Sequence, residues 1–457
     1  MIPAIKTGML WVDMNDLTAS QVTRLYRNYT YQHPREPDQD FCTLIQLPTR
    51  IGIPAGDIEK LKLVLPNLVI DDHTVATSFD KNVHLTGLTL RPYQHKALEE
   101  SFLTFSQGTT SFNLSGEPGS GKSVMLSAII AKLGVKTLII AHLSMLVEQL
   151  RKEIEQFTDA KVTVLNKDSL KLGDINIATS QFISQRPELW YKIKKTIGLI
   201  AVDEAETIAS ESTLRILQRA HAKYRIAVTA TFTRSVDGRT PALTDMIGHK
   251  VITLENDKLL KPTIISVRCE EVFDPPMSKN RYKKALSRFF TQNRTIDEKV
   301  LWITKSSVSK NRQVLIAVDL GEAQRAYAEQ LTNLGISCAI LNGNTKKSDR
   351  EQILDNYNKG QIKVLIGFGV LNAGLSIPKI SVIIRVSTPA NPEKLEQLIG
   401  RGRRDFPGKE GMWLIDLVFG GFSRANSKRY SLYQSKKHSD GWSVYSTTWN
   451  NFKAKLA

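Results

Sequence analysis

Residues 116–123 read Gly-Glu-Pro-Gly-Ser-Gly-Lys-Ser, which satisfies G-x-x-x-x-G-K-[ST]. The octet lies between a short run, Ser111 to Leu114, and a helical pattern from Ser123 to Leu133. Across Gly116, Glu117, Pro118, Gly119, Ser120 and Gly121 the glycines permit a tight loop and let backbone N–H groups turn inward on phosphate oxygens. Lys122 brings positive charge to the β- and γ-phosphates, and the Ser123 hydroxyl can ligate Mg²⁺. Further along, IGLIAVDEAE places Asp203 and Glu204 at the carboxyl end of an apolar run. In a parallel sheet that end faces the ligand crevice. There Asp203 would hold Mg²⁺, and Glu204 would orient and deprotonate an attacking water. A glycine-rich turn without a ligand, or two solvated acids, would explain either feature alone; their combination points to phosphate chemistry.

These residues need a scaffold of alternating elements. From about 111 to 250, β-branched runs (Thr137 to Ala141, Ile175 to Thr179, Gly198 to Asp203, Arg225 to Thr231) alternate with helical patterns such as Leu146, Leu150, Ile154 and Phe157. This predicts a parallel sheet covered by helices. The alternation resumes with Val314 to Val318, Cys338 to Leu341, Val364 to Gly367, Val382 to Val386 and Trp413 to Val418, with a helix from Glu322 to Leu334. The expected organisation is an N-terminal accessory domain over 1–85, a first α/β lobe over 86–250, a basic and mostly helical connector over 251–312, a second lobe over 313–420 and a basic, aromatic extension over 421–457. In the first of these, Phe41 to Leu47 reads as a strand and Asp57 as the N-cap of IEKLKLVL.

The chain has 457 residues, a formal charge of +17 and 41% hydrophobic residues, so it is basic and globular, as a polyanion-binding protein or an incidentally basic enzyme would be. Three scattered cysteines suggest neither a disulfide framework nor a zinc site and fit a reduced compartment. No apolar run approaches a membrane span, so a soluble, cytoplasmic protein is expected.

Asp-Glu-Ala-Glu at 203–206 resembles the DEAD/DEAH box of superfamily 2 helicases, and other motifs of that family appear in order. The resemblance implies two RecA-like lobes in tandem, with ATP and Mg²⁺ as cofactors. LRPYQHKAL is similar to the adenine-recognising segment, in which Gln94 would read the base and Arg91 and Tyr93 support it. IIAHLSMLVEQL and IATSQ match segments that contact the nucleic-acid backbone, implying roles for His142, Ser144, Gln149, Thr179 and Gln181; LNGNT similarly implicates Asn342 and Gly343. VTATF resembles the motif that couples hydrolysis to strand movement, through Thr229 and Thr231. VLIGFGVLNAGLSIP contributes Gly374 to the nucleotide site. QLIGRGRRDFPGK fits Q-x-x-G-R-x-x-R, so Gln397 would face the nucleotide while Arg401 and Arg404 act as arginine fingers. Two departures stand out: Glu206 replaces the usual His or Asp, and Ser376 replaces the Asp expected after Gly374-Leu375.

The Arg91-Pro92-Tyr93-Gln94 segment looks more like DNA helicases and translocases than DEAD-box RNA helicases. The short N-terminal domain and basic tail are similar to phage branch-migration helicases of the UvsW type. That resemblance implies a monomeric motor on branched or forked DNA, acting with replication or recombination proteins in a host cytoplasm. A duplex translocase subunit of a restriction complex, an RNA helicase and a non-hydrolysing switch protein are the competing readings. The net charge is concentrated: residues 250–312 carry +7 and residues 420–457 carry +6. Lys283, Lys284, Lys436 and Lys437 are therefore expected to grip DNA phosphates. Tail rings such as Tyr430, Tyr433 and Trp442 would stack on bases or form the buried face of a helix.

Overall fold

Strands that are apolar at every position, such as Thr137–Ala141, must be covered on both faces, and that requirement sets the architecture. The computed structural model describes residues 1–456 apart from 33–39, 118, 206–207, 209, 230–239, 257–258, 277–278, 368–376, 378, 387–391, 404–405 and 407, and apart from the side chains of 145, 240, 279, 280, 283, 347, 392–394 and 456. Pro118, Glu206, Thr231, Gly374, Leu375, Ser376, Arg404 and the Lys283 side chain therefore lie outside the described residues. The chain forms two compact units, Met1–Asn256 and Asp257–Ala457.

The first unit holds two sheets. The N-terminal sheet runs Ile45–Gln46, Arg50–Pro54, Met9–Asp13, Ile2–Lys6, Leu68–Asp72. The expected strand from Phe41 to Leu47 is split: Phe41–Cys42 pairs with Thr30–Tyr31, and Ile45–Gln46 pairs with Arg50–Pro54. Helix Ile58–Val64 begins where its cap predicts, with the Asp57 carboxylate accepting from Lys60 N at 3.0 Å. The second sheet has seven parallel strands in the order Val162–Val164, Ile175–Thr179, Thr137–Ala141, Leu199–Asp203, Tyr224–Thr229, Ser111–Ser115, Val251–Thr253.

Polar contacts at close backbone approach join the two sheets. A Cβ on Gly8 would lie 2.4 Å from the Gln218 carbonyl oxygen, so only glycine admits that approach. Beside it, the buried Arg225 guanidinium donates to Gly8 O at 2.8 Å and Met246 O at 3.3 Å. Asp245, 1% exposed on helix Thr240–Ile247, accepts from Tyr31 Oη, Thr43 Oγ1 and Lys60 Nζ at 2.7–2.8 Å.

The second unit is another seven-stranded parallel sheet, in the order Cys338–Ile340, Val364–Ile366, Gln313–Ala317, Ile380–Arg385, Trp413–Gly420, Thr263–Val272, Ser443–Thr448. Here the expected connector is corrected. Its ten-residue strand Thr263–Val272 lies inside this sheet, and helices Lys279–Thr291 and Arg294–Ser309 supply Phe290, Ile296, Val300 and Ile303 to its core. The tail likewise donates the edge strand Ser443–Thr448. Its rings divide: Phe422, Tyr433, Trp442 and Phe452 are buried, whereas Tyr430 and Tyr445 are exposed. No helix among the described residues is long and apolar enough to cross a membrane.

A buried charge cluster anchors the tail helix Ser423–Ser439. Asp416 accepts from Arg385 Nη1 at 2.7 Å, Arg429 Nε at 3.0 Å and Tyr433 Oη at 3.0 Å. Burial alone would raise the Asp416 pKa, but the two guanidiniums outweigh it and hold the carboxyl below its usual range. Asp416→Ala, which strands two buried cations, should destabilise the second unit by about 3–5 kcal/mol in urea unfolding. Because the folded-state pKa is depressed, the carboxylate's contribution is present above about pH 4 and is lost as pH falls below that. Asp416→Asn should lack that component of the acid sensitivity.

Candidate nucleotide site and nucleic-acid contacts

Three neighbouring strands end level with one another. Ser115 pairs with Thr229 and Val228 with Asp203, so the phosphate loop, Thr229 and the acidic pair emerge from one sheet edge. At a strand spacing of about 4.8 Å, the loop's strand and that of Asp203 lie roughly 10 Å apart. Gly116 N donates to Thr229 O at 3.2 Å, so the loop's first residue is bonded to the buried coupling threonine.

The loop curls as its glycines predict: Gly119 and Gly121 adopt φ of +92° and +87°. A Cβ on Gly121 would meet Gln94 Nε2 at 2.4 Å, which brings the adenine-type segment against the loop. Gln94 is buried, and its Oε1 accepts from Arg91 N at 2.9 Å; Tyr93 Oη donates to Ser120 O at 2.8 Å. The Arg91 side chain is exposed. Lys122 Nζ lies across the loop, donating to Gly116 O at 2.6 Å and Glu117 O at 3.3 Å. Ser123 follows in the first turn of helix Lys122–Leu133.

Asp203 is partly exposed at the end of Leu199–Asp203, and Glu204 takes a left-handed backbone, φ +54°. One Glu204 oxygen, Oε2, lies 3.0 Å from Nδ1 of His142, which follows the adjacent strand Thr137–Ala141. Burial lowers the imidazole's pKa, favouring its neutral form. Among the described residues no three His, Cys, Asp or Glu side chains cluster to hold a metal alone. The hard oxygen donors Ser123 and Asp203 suit Mg²⁺, which takes few protein ligands and completes its shell with phosphate and water.

The other expected contacts differ in setting. Ser144 and Gln181 are exposed; Gln149 donates to Glu153 at 2.7 Å, and Thr179 caps a helix by accepting from Phe182 N at 3.1 Å. Asn342 donates to Gln324 at 2.8 Å, whereas Gly343 has open space around it. On helix Pro392–Gly402, Gln397 is partly exposed and Arg401 is buried one turn on. Lys284 and Lys437 are exposed, but Lys436 is ion-paired with Glu396 and Asp440, which raises its pKa despite burial. Sequence reasoning missed two links: His142 with Glu204, and Arg403, which donates to Leu260 O at 3.0 Å. The first had a signal, because parallel neighbours that both end in polar residues bring those residues to one edge.

Residues 87–234 match the family model described as Type III restriction enzyme, res subunit, and residues 292–405 match Helicase conserved C-terminal domain. The chain is 24% identical over 355 residues to Probable helicase D10 of Escherichia phage T5, covering 73% of each protein. It is 26% identical to DNA 3'-5' helicase XPB of Mycobacterium tuberculosis, covering 78% of this chain and 63% of that protein. For Putative ATP-dependent helicase IRC3 of Saccharomyces cerevisiae the figures are 25% identity, 72% of this chain and 51% of that protein. The fold resembles S. cerevisiae Dbp5 bound to RNA and ADP BeF3, with a TM-score of 0.56, 15% identity and coverage of 80% and 97%. Two parallel-sheet lobes, a phosphate loop beside an acidic strand end, and these matches together make the chain an ATP-hydrolysing helicase of superfamily 2.

Proposed function

We propose that this helicase is a DNA motor that remodels branched or forked DNA by branch migration, fork regression and R-loop unwinding. The observation that most supports the ATP half of this reading is the common edge of Ser115, Thr229 and Asp203, which offers a phosphate cradle and a water-activating acid side by side. In the proposed site Arg91, Tyr93 and Gln94 address the adenine, while the 116–121 loop and Lys122 hold the phosphates. Ser123 and Asp203 bind Mg²⁺, which neutralises charge on the β- and γ-phosphates. Glu204 takes the proton of the water whose oxygen attacks the γ-phosphorus as the bond to the β-phosphate oxygen breaks. Gln397, Arg401 and Arg404 supply transition-state charge stabilisation, with Gly374 beside the nucleotide.

Thr229, whose carbonyl is bonded to Gly116, and Thr231 carry the hydrolysis state onward. The DNA reading draws on the exposed lysines of the second unit and on relatives named as DNA or phage helicases. His142, Ser144, Gln149, Thr179, Gln181, Asn342 and Gly343 form the proposed backbone track. A monomer in the host cytoplasm, working beside recombination or replication proteins, fits this role. The res-subunit model over 87–234 favours one second reading, a duplex translocase that moves without separating strands.

ATPase rates with single-stranded DNA, duplex, four-way junction and RNA, paired with strand displacement on the same set, test the proposal. The strongest stimulation should come with branched DNA, and Lys122→Ala should lower kcat by about 10²–10³-fold. Stimulation by RNA alone would overturn the DNA reading, and duplex stimulation without displacement would favour the translocase. Arg404→Ala should still bind ATP, measured with a fluorescent analogue, while turnover falls by about 10³-fold.

Lys436 is withdrawn from the proposed grip, because its ion pairs occupy it. Replacing Lys284 and Lys437 with Ala should lower the slope of log binding constant against log salt by about 2 on duplex DNA. Lys436→Ala should instead lower Tm with little change in slope, and a slope unchanged in the double variant would remove those lysines from the interface.

A further inference from the structure

Glu204 is the proposed general base, yet its carboxylate is engaged on the wrong side of the sheet edge. In strand order, Leu199–Asp203 lies between Thr137–Ala141 on one flank and Tyr224–Thr229 on the other, with the phosphate-loop strand Ser111–Ser115 beyond the latter. His142 extends from the first flank, and its Nδ1 is 3.0 Å from Glu204 Oε2. The contact therefore draws one carboxylate oxygen away from the loop that would hold the γ-phosphate. Glu204 also adopts φ +54°, a backbone state that costs a non-glycine residue of order 1 kcal/mol. Such a state persists only where the surroundings hold it.

His142 is placed to transmit a signal. It precedes the exposed Ser144, the first residue of helix Ser144–Phe157. A nucleic-acid phosphate binding at that helix start would pull on the His142 backbone directly.

We propose that His142 is a positioning residue that restrains Glu204 in the DNA-free enzyme, and that backbone contact at Ser144 withdraws the imidazole and frees the carboxylate for catalysis. This rests on the reading of Glu204 as the base and of DNA as the activating ligand. It makes the two sites a coupled pair, with DNA occupancy changing the population of a catalytically aligned Glu204.

Steady-state ATPase of the full chain, with and without a saturating four-way junction, tests this in the parent, His142→Ala, His142→Asn and Glu204→Gln. His142→Ala should raise the DNA-free kcat by about three- to tenfold, the scale of releasing one hydrogen bond to a charged group. KM for ATP should change less than about twofold, and the ratio of stimulated to basal kcat should fall accordingly. His142→Asn, which keeps a side-chain N–H donor, should recover part of the restraint. A parent-like basal rate and stimulation ratio in His142→Ala would overturn the proposal. So would an equal loss of kcat with and without DNA in both His142 variants, which would mark a structural role. Should His142→Ala fail to fold, as read by its melting curve, the stimulation ratio of His142→Asn decides alone: an intermediate ratio supports restraint and a parent-like or abolished one overturns it. Glu204→Gln separates this from failure of the underlying reading, because undiminished turnover in that variant would remove Glu204 as the base whatever the His142 variants do.

Discussion

The parallel register of Leu199–Asp203, Tyr224–Thr229 and Ser111–Ser115 is the constraint on which the nucleotide edge depends. Backbone pairing aligns Asp203 with Val228 and Thr229 with Ser115, so three chain segments distant in sequence leave the sheet at one level. A slip of one residue would turn every side chain of a strand to the opposite face and move the acids along the edge. The Gly116 N–H to Thr229 carbonyl bond continues the ladder one residue into the loop, so the loop begins as an extension of the sheet. Its curl follows from Gly119 and Gly121, whose positive φ places the backbone where a side chain would be strained.

The second unit solves a different problem, that of holding basic peripheral segments to an apolar sheet. Arg385 and Asp416 are cross-strand neighbours, and Arg429 arrives from the tail helix to share the same carboxylate. Two buried cations on one anion are costly to desolvate, and they persist because each makes a charge-assisted hydrogen bond in a fixed geometry. The aromatic stack of Phe273 on Phe422, with centroids 5.0 Å apart, seals the neighbouring end. These contacts convert part of the tail's positive charge from a surface property into an internal one. Arg429 and Lys436 both count in the formal excess of residues 420–457, and both have their partners inside the protein.

Where side-chain type dictates backbone, the sequence is legible. The glycine loop, the Asp57 cap and the uniformly apolar strands sit within a residue or two of their expected bounds, because each is specified by local chemistry. Thr263–Val272 escapes such a reading because its second half extends past the covered part of the sheet. Arg268, Glu270 and Glu271 there break the apolar run that marks a buried strand. Ser443–Thr448 escapes for a related reason: an exposed edge strand can be polar throughout, since backbone pairing alone holds it. Asp57 was visible as a cap and Asp245 was not, because the latter's three donors come from residues 185 or more positions away.

The contact between His142 and Glu204 belongs to the same class of non-local fact. Each residue follows its own strand, and only the adjacency of those strands brings them together. Motif reading assigns the two to separate tasks, one to nucleic acid and one to water activation. The sheet gives both one edge, with a hydrogen-bond distance between them. A motor that hydrolyses ATP only when engaged needs its base withheld by something that also feels the track. A side chain on the neighbouring strand, next to a helix start that faces solvent, meets that need without any long-range movement of the fold.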